Sequence, residues 1–228
     1  MKRVVEPEWL DELPNDDPRA VGSRRDLRKL NFLMGNVGII ERKLIKSFSQ
    51  QPPKRIVELG AGDGTFMLEL AKRLSNRWKY LEVILVDQQK LVSAETENAF
   101  GKLGWKLHIV CADIFEWLPH CTSADGIIAN LFLHHFDREK LSLLLRQSAS
   151  KTKVFVACEP HRSALGIFGT RFIWAIGCND VTRHDAPASV RAGFRTGEIL
   201  ELWPRDGPWK IEESRTGLFS HTFVAARS

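Results

Sequence analysis

One stretch limits what this chain of 228 residues can fold into: Arg55-Ile56-Val57-Glu58-Leu59-Gly60-Ala61-Gly62-Asp63-Gly64-Thr65-Phe66. A β-branched apolar run, an acid, glycine at every second position and then a helical pattern specify a strand, a tight turn and a helix. Gly60, Gly62 and Gly64 carry no Cβ, so the backbone there can turn sharply and lie flush against a flat ligand. The free N–H groups of the following helix open into the same crevice. In an open parallel sheet this crevice, at the carboxyl end of the first strand, is where a nucleoside-bearing ligand lies. The dinucleotide fingerprint spaces its glycines G-x-G-x-x-G and aims the helix at a pyrophosphate; here the spacing is G-x-G-x-G. Glu58 before the turn and Asp63 inside it put two negative charges where a phosphate would sit. They suit a ligand that carries positive charge, such as an ammonium and a sulfonium.

Around this turn the chain alternates. After Pro52-Pro53, apolar runs at Arg55–Leu59, Leu81–Asp87, Lys106–Cys111, Ala124–Asn130 and Lys153–Cys158 read as strands separated by helical patterns. Trp209–Thr216 and Ser220–Arg227 read as a terminal hairpin turning at Gly217. A helix is expected between Pro187 and Trp203, interrupted at Gly193 and Gly197. Upstream, residues 6–22 read as irregular. An amphipathic pattern then runs from Leu27 to Phe48, with Ser23 and Asp26 as its cap and a break at Gly35 or Gly38. The basic cluster Arg24, Arg25, Arg28 and Lys29 reads as a water-facing surface, or as part of a lid over a substrate. Asp87, at the tip of the second strand, is placed to accept both hydroxyls of a ribose.

From Glu58-x-Gly60-x-Gly62-x-Gly64 through residue 160, the chain resembles class I S-adenosylmethionine-dependent methyltransferases. Leu133-His134-His135-Phe136 is similar to the corresponding stretch of bacterial small-molecule enzymes of the ubiquinone and menaquinone pathways, including those associated with type III polyketide synthases. The resemblance implies an α/β, Rossmann-like seven-stranded mixed sheet of order 3-2-1-4-5-7-6 with helices on both faces. It implies an N-terminal helical cap over residues 1–51 and a methyltransferase domain over residues 52–228, with S-adenosylmethionine as cofactor. On this resemblance the cofactor site comprises Glu58, Gly60, Ala61, Gly62, Asp63 and Gly64, Asp87 with Gln88 at the ribose, Asp113 with Ile114 at the adenine, and Asn130. Methyl transfer is expected beside the end of the fourth strand.

Such a transfer needs an acceptor held in line with the S–CH₃ bond and, for a protonated nucleophile, a base. His135, His184 and His161, in that order, are the candidates. No metal is required, and no carboxylates show magnesium-type spacing. The apolar stretch Leu165–Ile176 reads either as the wall of a pocket for an aromatic or long-chain acceptor or as a buried core helix. A net charge of +5 is too mild and too dispersed for a nucleic-acid footprint. Asn130-Leu131-Phe132-Leu133 also lacks the prolines that base-amino methylation would want.

The four cysteines show no metal-ligand spacing and read as free thiols in a reducing compartment. No apolar leader follows Met1-Lys2-Arg3, and the run Ala164–Cys178 is interrupted by Arg171 and too short to span a bilayer. The expectation is a cytoplasmic enzyme acting on a small phenol, quinol or polyketide-like acceptor. It has no nucleic-acid partner and no stable membrane insertion, and a homodimer is left open. A nicotinamide oxidoreductase, a nucleic-acid methyltransferase and a non-catalytic S-adenosylmethionine-binding module stand as alternatives.

Overall fold

A computed structural model describes residues 1–227. Seven strands form one mixed sheet: β1 (Arg55–Leu59), β2 (Glu82–Asp87), β3 (Lys106–Cys111), β4 (Ala124–Asn130), β5 (Thr152–Pro160), β6 (Trp209–Thr216) and β7 (Ser220–Arg227). Their order is β3-β2-β1-β4-β5-β7-β6, as expected. β1 pairs in parallel with β2 and β4, and only β7 runs antiparallel, between β5 and β6. β1 and β4 read as near-continuous apolar runs because both of their faces are covered. Ile56 points to one core layer with Met67, Leu70 and Phe100; Val57 and Leu59 point to the other with Leu141, Leu144 and Phe155.

The helices are α1 (Trp9–Glu12), α2 (Pro18–Met34), α3 (Asn36–Ser47), α4 (Thr65–Leu74), α5 (Ala94–Lys102), α6 (Ile114–Trp117), α7 (Arg138–Lys151), α8 (Ala164–Thr170) and α9 (Asp180–Ala192). The amphipathic stripe of α3 buries Ile39, Ile40 and Leu44 in the same core layer as α4. Gly35, in the left-handed region, separates α2 from α3.

Four expectations need correction. The segment 6–22 is not irregular: α2 starts at Pro18, the favoured first helical position, and Asp17 accepts the Arg19 N–H as its cap. Ser23 and Asp26 therefore cap nothing. They are buried inside α2 and bind α9 instead, Ser23 Oγ accepting from the Thr182 hydroxyl at 2.9 Å and Asp26 from the Asn179 N–H at 2.8 Å. The late helix lies at Asp180–Ala192, not at 187–203, because Asn179 caps it and Gly193 ends it against Pro160. A side chain at 193 would collide with the Pro160 carbonyl, which instead accepts the Phe194 N–H. Finally, β5 runs two residues past Cys158, since β7 continues to pair with Glu159 and Pro160.

Candidate functional site

The carboxyl ends of β1, β2, β4 and β5 open into a single cavity of about 640 Å³. One end is the glycine turn. Gly60 adopts φ +67°, and a Cβ on it would lie inside the Phe132 ring, so a side chain there is excluded by both backbone and space. The turn is tied to β2: Asp87 accepts the Gly62 N–H at 2.8 Å through one oxygen and the Gln89 N–H at 2.9 Å through the other. Each oxygen keeps a lone pair free, and Asp87 lines the cavity beside Gln88. Asp113 caps α6 through the Phe115 N–H and accepts from the Gln88 amide at 3.1 Å, and the buried Ile114 lines the same wall. Ala61 is buried in the turn.

Asp63 does not stand as a bare charge. Arg28, from the basic cluster of α2, reaches it at 2.6 Å, so at least one arginine of that cluster closes on the turn rather than facing open water. Arg24, from the same helix, lines the cavity. Glu58 is different. It is buried to 2% exposure, with Oε2 meeting no partner. Burial first, then the nearby charges of Asp63 and Asp87, push its pKa well above the usual carboxylate range. Asn130, also buried, donates to the Asn31 side chain at 3.0 Å while its own carbonyl oxygen is left without a partner. Asn31 in turn accepts from Asn36, whose oxygen takes the Ser220 hydroxyl. This polar network locks the junction of α2 and α3 to the ends of β4 and β7.

The other end of the cavity is built where β4 stops. Leu131 takes a left-handed φ of +52°, a conformation that costs a non-glycine residue of order 1 kcal/mol or more. Glu159 at the end of β5 holds the strained turn. It accepts the N–H groups of Phe132 and Leu133 at 2.9 Å, and its second oxygen meets His134 Nδ1 at 2.7 Å. His134 is buried between two carboxylates, since its Nε2 faces Glu8 at 3.5 Å. Burial disfavours its charge, but Glu159 and Glu8 outweigh that and raise its pKa to about 9. Glu8 is held at about 2 despite burial, by His134, by His135 and by the Ser189 hydroxyl at 2.5 Å.

Of the three histidines read as candidate bases, His135 alone lines the cavity, its Nδ1 facing Asp11 at 3.3 Å. His184 stacks on Trp9 at 3.7 Å and pairs with Asp185 at 2.8 Å, outside the cavity wall. Its adjacent carboxylate does pair with it, and Asp185 lines the cavity while His184 does not. His161 is likewise outside: its ring stacks near His221, its Nδ1 lacks a partner, and burial lowers its pKa. The segment Leu165–Ile176 folds as α8 and a following helical turn. Phe172, Ile173 and Ile176 line the cavity, and Leu165, Phe168, Phe172, Trp174 and Ile176 are all exposed, so it is a wall and not a core helix.

Several site residues carry no local sequence signal. Glu8 and Asp11 arrive on a segment strapped across α9. Asp185 accepts the N–H groups of Trp9 and Leu10 at 2.9 and 3.0 Å, and Arg3 donates to the carbonyls of His134, Phe136 and Ala192. Among the described residues no helix is long and apolar enough to cross a membrane.

Residues 56–153 match the family model of a methyltransferase domain. A carboxy-S-adenosyl-L-methionine synthase from Nautilia profundicola is 27% identical over 135 residues, covering 58% of this chain and 54% of that protein. The chain thus spans about half the length of that curated relative. The plantazolicin methyltransferase BpumL, solved in complex with S-adenosylhomocysteine (SAH), superposes over 93% of this chain and 92% of its own at a TM-score of 0.65 and 16% identity. An O-methyltransferase family protein from Burkholderia thailandensis gives a TM-score of 0.61 over 93% of this chain and 61% of its own, also at 16% identity. These likenesses share the fold.

Proposed function

From its class I S-adenosylmethionine-dependent methyltransferase domain, we propose that this chain methylates a small aromatic or hydrophobic acceptor: a phenol, a quinol or a polyketide-like product. One observation carries the reading. The glycine turn with Asp87 and the apolar wall of Phe172, Ile173 and Val190 are two ends of the same cavity.

The residues present fit the cofactor. Glu58 offers a buried carboxylate oxygen without a partner, and Asn130 a buried amide oxygen likewise; orphaned acceptors suit an ammonium group. Asp87 keeps acceptor capacity for ribose hydroxyls, and Gly62, with open space where a Cβ would stand, leaves room for a nucleoside. When bound, S-adenosylmethionine supplies a methyl group already made electrophilic by its sulfonium. The chain does the rest. Phe132, Leu131 and the α8 wall exclude water from the acceptor and orient its ring, and alignment of this kind is worth roughly 7–11 kcal/mol in favourable cases. His135, at the end of β4, takes the proton of a hydroxyl acceptor, a contribution of about 10²–10⁴-fold.

The test is transfer of radiolabelled methyl to a panel of phenols and quinols. The expected result is turnover with at least one class, a loss of 10²-fold or more in kcat for His135→Ala, and near-normal rates for His161→Ala. Tight binding of NAD in place of SAH, or no transfer to any member, would overturn the reading.

A further inference from the structure

We propose that Glu8, His134 and His135 form a binding site for one divalent transition-metal ion, zinc by preference, at the acceptor end of the cavity. A ligand atom from each of the three lies within 4.8 Å of the others. A tetrahedral zinc site with bonds near 2.0–2.1 Å needs donors about 3.3 Å apart. His134 Nε2 and Glu8 stand at 3.5 Å already. The remaining closure falls to His135, the most exposed of the three, whose ring packs against that of His134 at 4.3 Å and whose Nδ1 faces Asp11 at 3.3 Å.

Two further features distinguish this trio from a chance cluster. His134 gives its Nδ1 to Glu159, a fully buried carboxylate that is itself fixed by two backbone N–H groups. That leaves Nε2, which faces Glu8, as the nitrogen a metal ion would take on displacing its proton, which is how metal-binding imidazoles are oriented. Glu8 is similarly fixed by the Ser189 hydroxyl. All three ligands also line the cavity, so an ion held on one side by protein would keep its open positions toward the acceptor space. Two imidazoles and one carboxylate favour zinc, cobalt or iron over magnesium, which prefers an all-oxygen shell. An ion there would anchor an oxygen of the acceptor and draw charge from it, as Lewis-acid sites do. That role rests on the methyltransferase reading; binding itself does not. With the ion present, His135 would hold the metal, and the acceptor's hydroxyl, made more acidic by the ion, would give its proton to bulk water on binding and enter methyl transfer as the oxyanion.

The test is calorimetric titration of chelator-stripped protein with Zn²⁺, and absorption titration with Co²⁺, in the absence of S-adenosylmethionine and acceptor. The expected result is one ion per chain, visible Co²⁺ bands typical of four or five ligands, and no competition from Mg²⁺. Glu8→Gln and His135→Ala should each weaken Zn²⁺ binding at least tenfold, while His108→Ala, at a half-buried histidine of β3 that pairs with Glu82 and does not line the cavity, leaves it unchanged. Unchanged SAH binding by His135→Ala shows that the variant is folded. Absence of stoichiometric binding, or equal affinity in Glu8→Gln and His108→Ala, overturns the proposal and leaves the trio as an ion-paired clasp for the N-terminal strap. Methyl transfer by stripped protein that binds no zinc would sink this site alone and leave the methyltransferase reading standing. Zinc binding without transfer to any acceptor would do the reverse.

Discussion

At the glycine-turn end of the cavity, acceptor oxygens are left without partners; at the His134 end they are paired. Glu58 is buried without a partner, and Asp87 uses only one lone pair per oxygen. At the other end, Glu159, Glu8, Asp185 and His134 all find partners inside the protein, and the chain from Arg3 to Asp11 is laced to α9 through them. The first end is shaped for something that arrives with positive charge. The second is an assembled wall whose polar groups hold each other in place. A ligand for the first should therefore be sensitive to single carboxylates, and a ligand for the second to whatever keeps the strap docked.

The sharpest way to break that contrast is at Asp87. Its carboxylate ties Gly62 to β2 and faces the cavity, and charge-assisted hydrogen bonds are worth about 1.5–3 kcal/mol each. Asp87→Ala is expected to weaken SAH binding roughly 10²-fold or more by calorimetry. Hydrogen exchange in α1 should stay unchanged. A loss below about threefold would mean that the turn, and not the acid, holds the nucleoside. Asp185→Ala is the matching experiment at the other end. It removes the acceptor of the Trp9 and Leu10 N–H groups and of His184. Faster exchange over residues 3–12 and a rise of about tenfold in acceptor KM are expected, with SAH affinity within about threefold of normal. Equal damage to both ligands would show that the two ends are one unit.

The same contrast explains what could be read from the sequence. The glycine-turn end is local: Glu58 to Gly64 is one strand–turn–helix, and Asp87 and Asp113 follow it at the tips of successive strands. Strand periodicity and glycine spacing carry the strands, the turn and the acid at the tip of β2; the sheet order and the role of Asp113 come from the family resemblance. The His134 end is non-local. Glu8 meets His134 only because α9 places Asp185 and Ser189 beneath the strap, and no spacing along the chain announces that meeting. Ser23 and Asp26 show why local rules failed there. Their pattern fits a helix cap, but Pro18 and Asp17 start the helix earlier and leave both side chains free to bind α9. His184 differs in the opposite sense: it does pair with its neighbour Asp185 and stacks on Trp9, yet it does not line the cavity.

The smallest expected effect is the most telling about why one end is left open. In Glu58, burial and the neighbouring charges of Asp63 and Asp87 raise the folded-state pKa well above 4.5. The native state therefore keeps a proton that the unfolded chain gives up. By linkage, stability is full below pH 4.5 and declines as pH rises toward the folded-state pKa. Glu58→Gln fixes the neutral form, so it should flatten that decline. A higher Tm than the native protein at pH 8 is expected, with little difference from it near pH 4.5. The same variant should bind SAH several-fold less tightly, because a bound ammonium can drive the proton off Glu58 and meet a carboxylate, which an amide cannot become, and an analogue lacking the amino group should not distinguish the two proteins. A variant that gains stability and keeps its affinity would show that Glu58 is an ordinary buried acid. Loss of both would show that the acid supports the turn mechanically. Gain of one with loss of the other is what a carboxylate held unpaired for its ligand requires.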